Sequence, residues 1–169
     1  MFQKILIIIA IVAAIAALFL IAYIAIEYFK SVKRLNNTHI LYHVSDKNFD
    51  HFDDQFLRNS HYGYSHCFYN NKNDAIAQAC VGEGNIIYSC NVYTKHCNKD
   101  IIDYKINSNI AQEKKIGQSV FMERARKHYK GNAFVDDNVV AVINSKDIVI
   151  LKKEIVYHDD KRILIEEVF

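Results

Sequence analysis

The stretch LYHVSDKNFDHFDDQF, residues 41–56, sets His43 and His51 among Asp46, Asp50, Asp53 and Asp54. Imidazole and carboxylate at such density can hold a ligand, move a proton or bind a metal ion. The stretch opens on apolar Leu41-Tyr42, so His43 reads either as a ligand-holding group or as the polar end of a buried strand. Zinc is the metal to consider, because His61, His66, His96 and Cys97 follow. Their spacings fit no standard zinc pattern, and no bound metal is expected. Cys67, Cys80, Cys90 and Cys97 contain no CxxC pair and are expected as buried free thiols.

These residues must be carried by a body rich in strands. His39–His43 reads as a strand, and Ser45–Asp54 as a turn-rich loop folded back onto the core by Phe49 and Phe52. HYGYS (61–65) reads as a loop, and Cys67–Tyr69 as a short aromatic strand. Asn73 or Asp74 is expected to cap a helix that buries Ala75, Ile76, Ala79 and Cys80 and ends at GEG (82–84). Asn85–Tyr93 has the β-branched and aromatic content of a strand. Ile101–Ile106 suggests a short extended piece, and Ile110–Lys115 a helical turn. Ser119–Tyr129 reads as a helix capped by Ser119 and stopped by Gly131. Asn132–Val135 is a strand, and Asp136-Asp137-Asn138 a turn. Val139–Ile143 and Ile148–Leu151 are apolar runs suited to strands covered on both faces, and Ile163–Val168 is a last strand. The fold class is α+β in a single domain without repeats.

Before that body lies a different kind of segment. From Ile5 to Phe29 only Glu27 is charged, and this run exceeds the roughly 20 apolar residues a helix needs to cross a bilayer. A cleavable signal peptide has an apolar region of about 7 to 15 residues, so an uncleaved anchor is the expectation. The chain then divides into an anchor (1–30), a basic linker (31–38) and a folded domain (39–169). Lys30, Lys33 and Arg34 after the span outweigh Lys4 before it, which places the domain on the cytosolic side of a single-pass membrane protein. The chain carries a net charge of +2, with both signs interspersed. It has no basic stripe of the kind that follows a phosphate backbone, and nucleic acid is not an expected partner.

Taken in order, LYHVS, FDHF, HCFYNNKNDAIAQA, NIIYSCNV, ERARKHYKGNAFVDD and VVAVINSKDI resemble the ADP-ribosyltransferase fold. The likeness is closest to its histidine-bearing branch, which includes poly(ADP-ribose) polymerases, diphtheria-type toxins and related domains of phage and bacterial polyproteins. It covers His39 to Leu151, and it implies a split β-sandwich with flanking helices. It also implies a bent NAD, bound as substrate, whose nicotinamide leaves through an oxocarbenium-like transition state. By that resemblance His43 hydrogen-bonds the adenosine ribose and Ser45 lies near the same ribose, while Val44 stands where the family has glycine. Phe68 takes the place of the tyrosine that stacks on nicotinamide, and Tyr69 is the alternative if the alignment slides by one.

The family's catalytic glutamate falls on Val139, which can neither polarise a ribose hydroxyl nor steady positive charge. Asp137, two residues earlier with the same strand parity, is the fallback acid, and Asn144 and Asp147 fall on the family's turn. Two functions follow as expectations. One is a membrane-anchored mono-ADP-ribosyltransferase acting on an unidentified protein or nucleic-acid acceptor. The other is a membrane-tethered module that binds NAD, ADP-ribose or a protein without catalysis.

Overall fold

The computed structural model describes residues 2–57, 59–82, 84–159 and 162–168, and the chain forms two units, residues 1–37 and 38–169. The first is one helix, α1 (Phe2–Asn36). Its stretch Ile11–Phe29 has a mean hydropathy of 2.3 and buries none of its surface against protein. Length and composition suit a single membrane span, and a signal sequence passes the same test. The segment expected as a linker is helical through Asn36, consistent with its freedom from Gly and Pro.

The second unit is a mixed helix-and-sheet domain. Its strands are β1 (Thr38–Ser45), β2 (Asn59–Ser60), β3 (Gly63–Tyr64), β4 (His66–Tyr69), β5 (Ile86–Tyr93), β6 (Ala133–Asp136), β7 (Val139–Val142), β8 (Ile148–Asp159) and β9 (Arg162–Val168). Its helices are α2 (Lys72–Cys80), α3 (Ile101–Glu113) and α4 (Gln118–Tyr129). Seven strands form one antiparallel sheet in the order β6-β7-β4-β1-β5-β8-β9, while β2 and β3 make a separate small hairpin. Helix and sheet are mixed as expected, and HYGYS contributes a strand rather than a loop alone.

Strand alternation sorts the side chains onto two faces. Tyr42 and Val44 pack with Tyr69, Ile87, Val156 and Ala75 of α2. Ala141, opposite Cys67 in the β4–β7 register, lies on that same face and packs with Tyr104 of α3, Phe121 and Met122 of α4, and Phe134. All three helices thus cover one face. On the other, Leu41, Phe68, Tyr88, Cys90, Val140 and Val142 form a core closed by Phe52, so the loop after β1 does the covering there. Both Phe49 and Phe52 fold back as expected.

Several local readings shift. Helix α2 is capped by Asn71, which accepts a hydrogen bond from the Asp74 N–H, rather than by Asn73 or Asp74. Gly117, without a side-chain cap, precedes α4 in place of Ser119, and Lys130 in the left-handed region ends it just before Gly131. Residues 101–113 form one continuous helix, not an extended piece plus a turn. The apolar run opening β8 is covered on one face only, since Val149 and Leu151 are exposed.

Candidate functional site

His43 lies on the loop-covered face of β1, opposite Tyr88 in the β1–β5 register. Its ring sits within 5.1 Å of Phe52, 5.6 Å of Phe68 and 6.1 Å of both Phe49 and Tyr88, measured between centroids. Its Nδ1 lies 2.8 Å from the Cys67 carbonyl oxygen. A carbonyl only accepts, so Nδ1 carries a proton. Burial is the main influence on its pKa and lowers it. The Cys67 hydrogen bond opposes that, the nearby His66 adds to it, and the pKa falls from 6.5 to about 4. At neutral pH His43 is an uncharged member of an aromatic cluster.

The cover over that cluster is fastened at several points. Phe49 stacks on Tyr88 at 4.3 Å with the planes 9° apart. The Tyr88 hydroxyl donates to the Lys47 carbonyl (2.8 Å) and accepts from the Phe49 N–H (3.0 Å). Lys153 on β8 donates to Asn48 Oδ1 (3.0 Å) and to Asp50. At the far end of the loop, Asp54 accepts from Arg126 of α4 (2.8 Å), from the Ser145 N–H (2.9 Å) and from His66 Nε2 (3.0 Å). Burial is the largest single influence on Asp54 and opposes its ionisation. The hydrogen bonds from His66 and Ser145 and the charge of His66 together outweigh it and hold the carboxyl below its ordinary range. Arg126 also donates from Nε to the Ile143 carbonyl (3.0 Å), so one guanidinium ties the loop to α4 and to the end of β7.

The other anticipated site residues fall as follows. Ser45 accepts from the Lys47 N–H (3.1 Å) and starts the turn into the loop. Phe68 is fully buried beside His43. Tyr69 points the opposite way, into the Tyr42, Val44 and Ala75 cluster under α2, so the alternative placement of Tyr69 beside His43 does not hold. Asp137 is exposed and has a positive φ of 46° in the turn between β6 and β7. Its carbonyl accepts from Asn70 Nδ2 (3.3 Å). Strand parity does not pass through such a turn, and this removes the argument that brought Asp137 to the site. Val139 pairs with Tyr69 and shares its face, while Val140 joins the His43 side. His51 is exposed. Among the described residues no carboxylate is a hydrogen-bond partner of His43, and no cluster of three or more His, Cys, Asp or Glu is suited to a metal. Burial pushes the Cys90 and Cys97 thiols up to about 12 and about 11, while Cys67 and Cys80 are half-buried and form no disulfide.

Two clefts can be described among the residues of the domain that the structure describes. In the first, β4 ends at Tyr69, paired with Tyr42, while β1 extends back to Thr38. The opening of about 610 Å³ is lined by Thr38, His39, Ile40, Leu41, Asn70, Thr94, Val135 and Val140. An apolar floor with a few polar side chains, in this size range, suits a small organic ligand. The second, of about 500 Å³, lies among Tyr93, Lys95, Arg126, Lys130, Asn132, Asn144 and Asp147. Asn144 and Asp147 were anticipated as turn residues. Lys95, Arg126 and Lys130 were not singled out, because only the fold brings these separate segments together. Compared with known proteins, the chain matches no family model, no curated protein and no solved structure.

Proposed function

We propose that this chain is a membrane-anchored binding module that takes up NAD or ADP-ribose without turning it over. The observation that carries the absence of turnover is the environment of His43. It is a half-buried ring beside Phe49, Phe52, Phe68 and Tyr88, with its Nδ1–H committed to Cys67 and its pKa lowered to about 4, mainly by burial. Breaking the nicotinamide–ribose bond builds positive charge on the ribose, and a site for that reaction needs a carboxylate aimed at it. Val139 supplies none, and Asp137 sits exposed in a turn.

Support for the dinucleotide itself comes from the ordered resemblance to ADP-ribosyltransferases and from the cleft beside the first half of β1. Thr38, His39, Asn70 and Thr94 offer hydrogen-bonding groups there above Leu41 and Val140. The anchor is the apolar span of α1, and the cations that follow it put the domain on the cytosolic side in this proposal. The test is calorimetry of the full chain with NAD and with ADP-ribose, followed by chromatography for free nicotinamide. Saturable binding without nicotinamide release is the expected result. Nicotinamide release by the wild type that disappears in His43→Ala would replace this reading with the transferase one, and heatless titrations with both ligands would remove the dinucleotide.

A further inference from the structure

The second cleft is assembled from backbone segments welded to one another. The Lys95 carbonyl accepts from the Asn132 N–H (2.9 Å) and the Ala133 N–H (3.2 Å), while the Lys95 N–H donates to Asn132 Oδ1 (2.6 Å). Gly131 lies so close beneath this crossing that a Cβ there would meet the Lys95 and His96 carbonyl oxygens at 2.6 Å. Lys130 precedes it with φ of 52°. The strand end at Lys95 and the helix end at Lys130 are therefore fixed against each other, and both lysines line the same opening.

The opening is lined by three cationic side chains, Lys95, Arg126 and Lys130, and one carboxylate, Asp147. Arg126 is matched by Asp54 at 2.8 Å. Asp147 is held by two amides, Asn132 Nδ2 at 2.7 Å and Asn144 Nδ2 at 2.8 Å. Lys95 and Lys130 are exposed, and neither ammonium has an ion-pair partner among the described residues. Two ammonium groups with no ion pair among the described residues line one opening with Arg126 and outnumber its single carboxylate, Asp147, which makes it a site for a compact anion. Tyr93, the Cα partner of Thr38, places this opening at the end of the sheet where the chain enters β1.

We infer that the cleft between Lys95 and Lys130 binds a phosphate monoester, with the two ammonium groups and Arg126 around the phosphate. The phosphate can be carried by a soluble molecule or by a lipid headgroup, and the two sources separate by experiment. This site is distinct from the dinucleotide cleft and does not depend on it.

The full chain is placed in phosphatidylcholine nanodiscs and titrated with glycerol phosphate. In parallel it is placed in nanodiscs that also contain phosphatidic acid, and the Gly131 backbone amide and the Asn132 and Asn144 side-chain amides are followed by NMR. A saturable shift with glycerol phosphate assigns a soluble ligand, and a shift with phosphatidic acid assigns a lipid headgroup. In either arm Lys95→Gln with Lys130→Gln should weaken binding by about tenfold or more. Lys114→Gln with Lys115→Gln, an equal charge change at two exposed lysines, should leave it unchanged. Circular dichroism checks that both variants fold. No shift with either probe, or equal weakening by both pairs, overturns the site.

Discussion

The His43 cluster and the Lys95–Lys130 cleft handle polar groups in opposite ways. Around His43 the fold neutralises an ionisable ring, donates its proton to a carbonyl and closes aromatic side chains over it. At the Lys95–Lys130 cleft the fold spends its hydrogen bonds on the backbone and on Asp147, leaving two ammonium groups in solvent. The first region is organised to stay shut, since Phe49, Tyr88, Lys153 and Asp54 each fasten the loop. The second is organised to stay open. A residue type that suggests chemistry in a sequence is thus weak evidence by itself, because burial decides whether its reactive form exists at neutral pH.

The strongest way to break the comparison is to remove the stopper. Phe52 is 8% exposed and its ring meets His43, Phe49, His66, Phe68 and Tyr88. Phe52→Ala should cost about 3–5 kcal/mol, combining lost transfer energy with the cavity left behind. The measurement is the denaturant midpoint with the slope checked for constancy. In the same variant the His43 pKa should rise toward its ordinary value as water enters, which NMR titration reads directly. A loss below about 1 kcal/mol would mean that the loop merely rests on the sheet.

The next effect in size is the proton itself. The folded pKa of His43 is about 4 against 6.5 for an unperturbed histidine, so between those values the unfolded chain binds a proton that the folded chain refuses. Stability is therefore complete above pH 6.5, falls as the pH is lowered toward 4, and stops falling from this source below that. The full excursion is about 3 kcal/mol. The difference between wild type and His43→Gln, measured by denaturant unfolding across this range, isolates the contribution. A flat difference curve would show that His43 takes up its proton equally in the folded and unfolded chain, and the account of a ring shifted by burial would fail.

Where the apolar pattern and the fold agree, the sequence was readable. Strands β1 and β5, the loop pinned by Phe49 and Phe52, and helix α4 follow from alternation or helical spacing. Helix α3 was misread because its pattern is inverted. Tyr104, Ser108 and Ala111 are buried, while Ile102, Ile106 and Ile110 are exposed, so the most apolar side chains mark the outer face. Asp100, whose side chain accepts from the Asp103 N–H at 2.8 Å, was the available signal, a cap just before an apolar run. The fate of Asp137 illustrates another limit, for parity arguments stop at a turn and only coordinates show where one begins. The Lys95–Lys130 cleft was illegible for a third reason. Its parts lie on β5's exit, α4's end and the β7–β8 turn, and sequence distance carries no information about their meeting.

The smallest effect is expected where the two regions differ most. Lys95 and Lys130 are exposed and make no ion pair among the described residues, so neither neutralisation leaves a buried partner stranded. Lys95→Gln with Lys130→Gln should change stability by no more than about 0.5 kcal/mol, which is about 2 °C or less in Tm for a chain of this size. Lys130 needs a positive φ in either variant, and glutamine carries the same Cβ as lysine, so that strain cancels in the comparison. Melting by circular dichroism, run beside Phe52→Ala, tests the contrast. Destabilisation by the lysine pair comparable to that of Phe52→Ala would make the lysines part of the scaffold, and the distinction between a sealed region and an open one would collapse. Unchanged stability would mean that nothing in the fold itself uses the two charges.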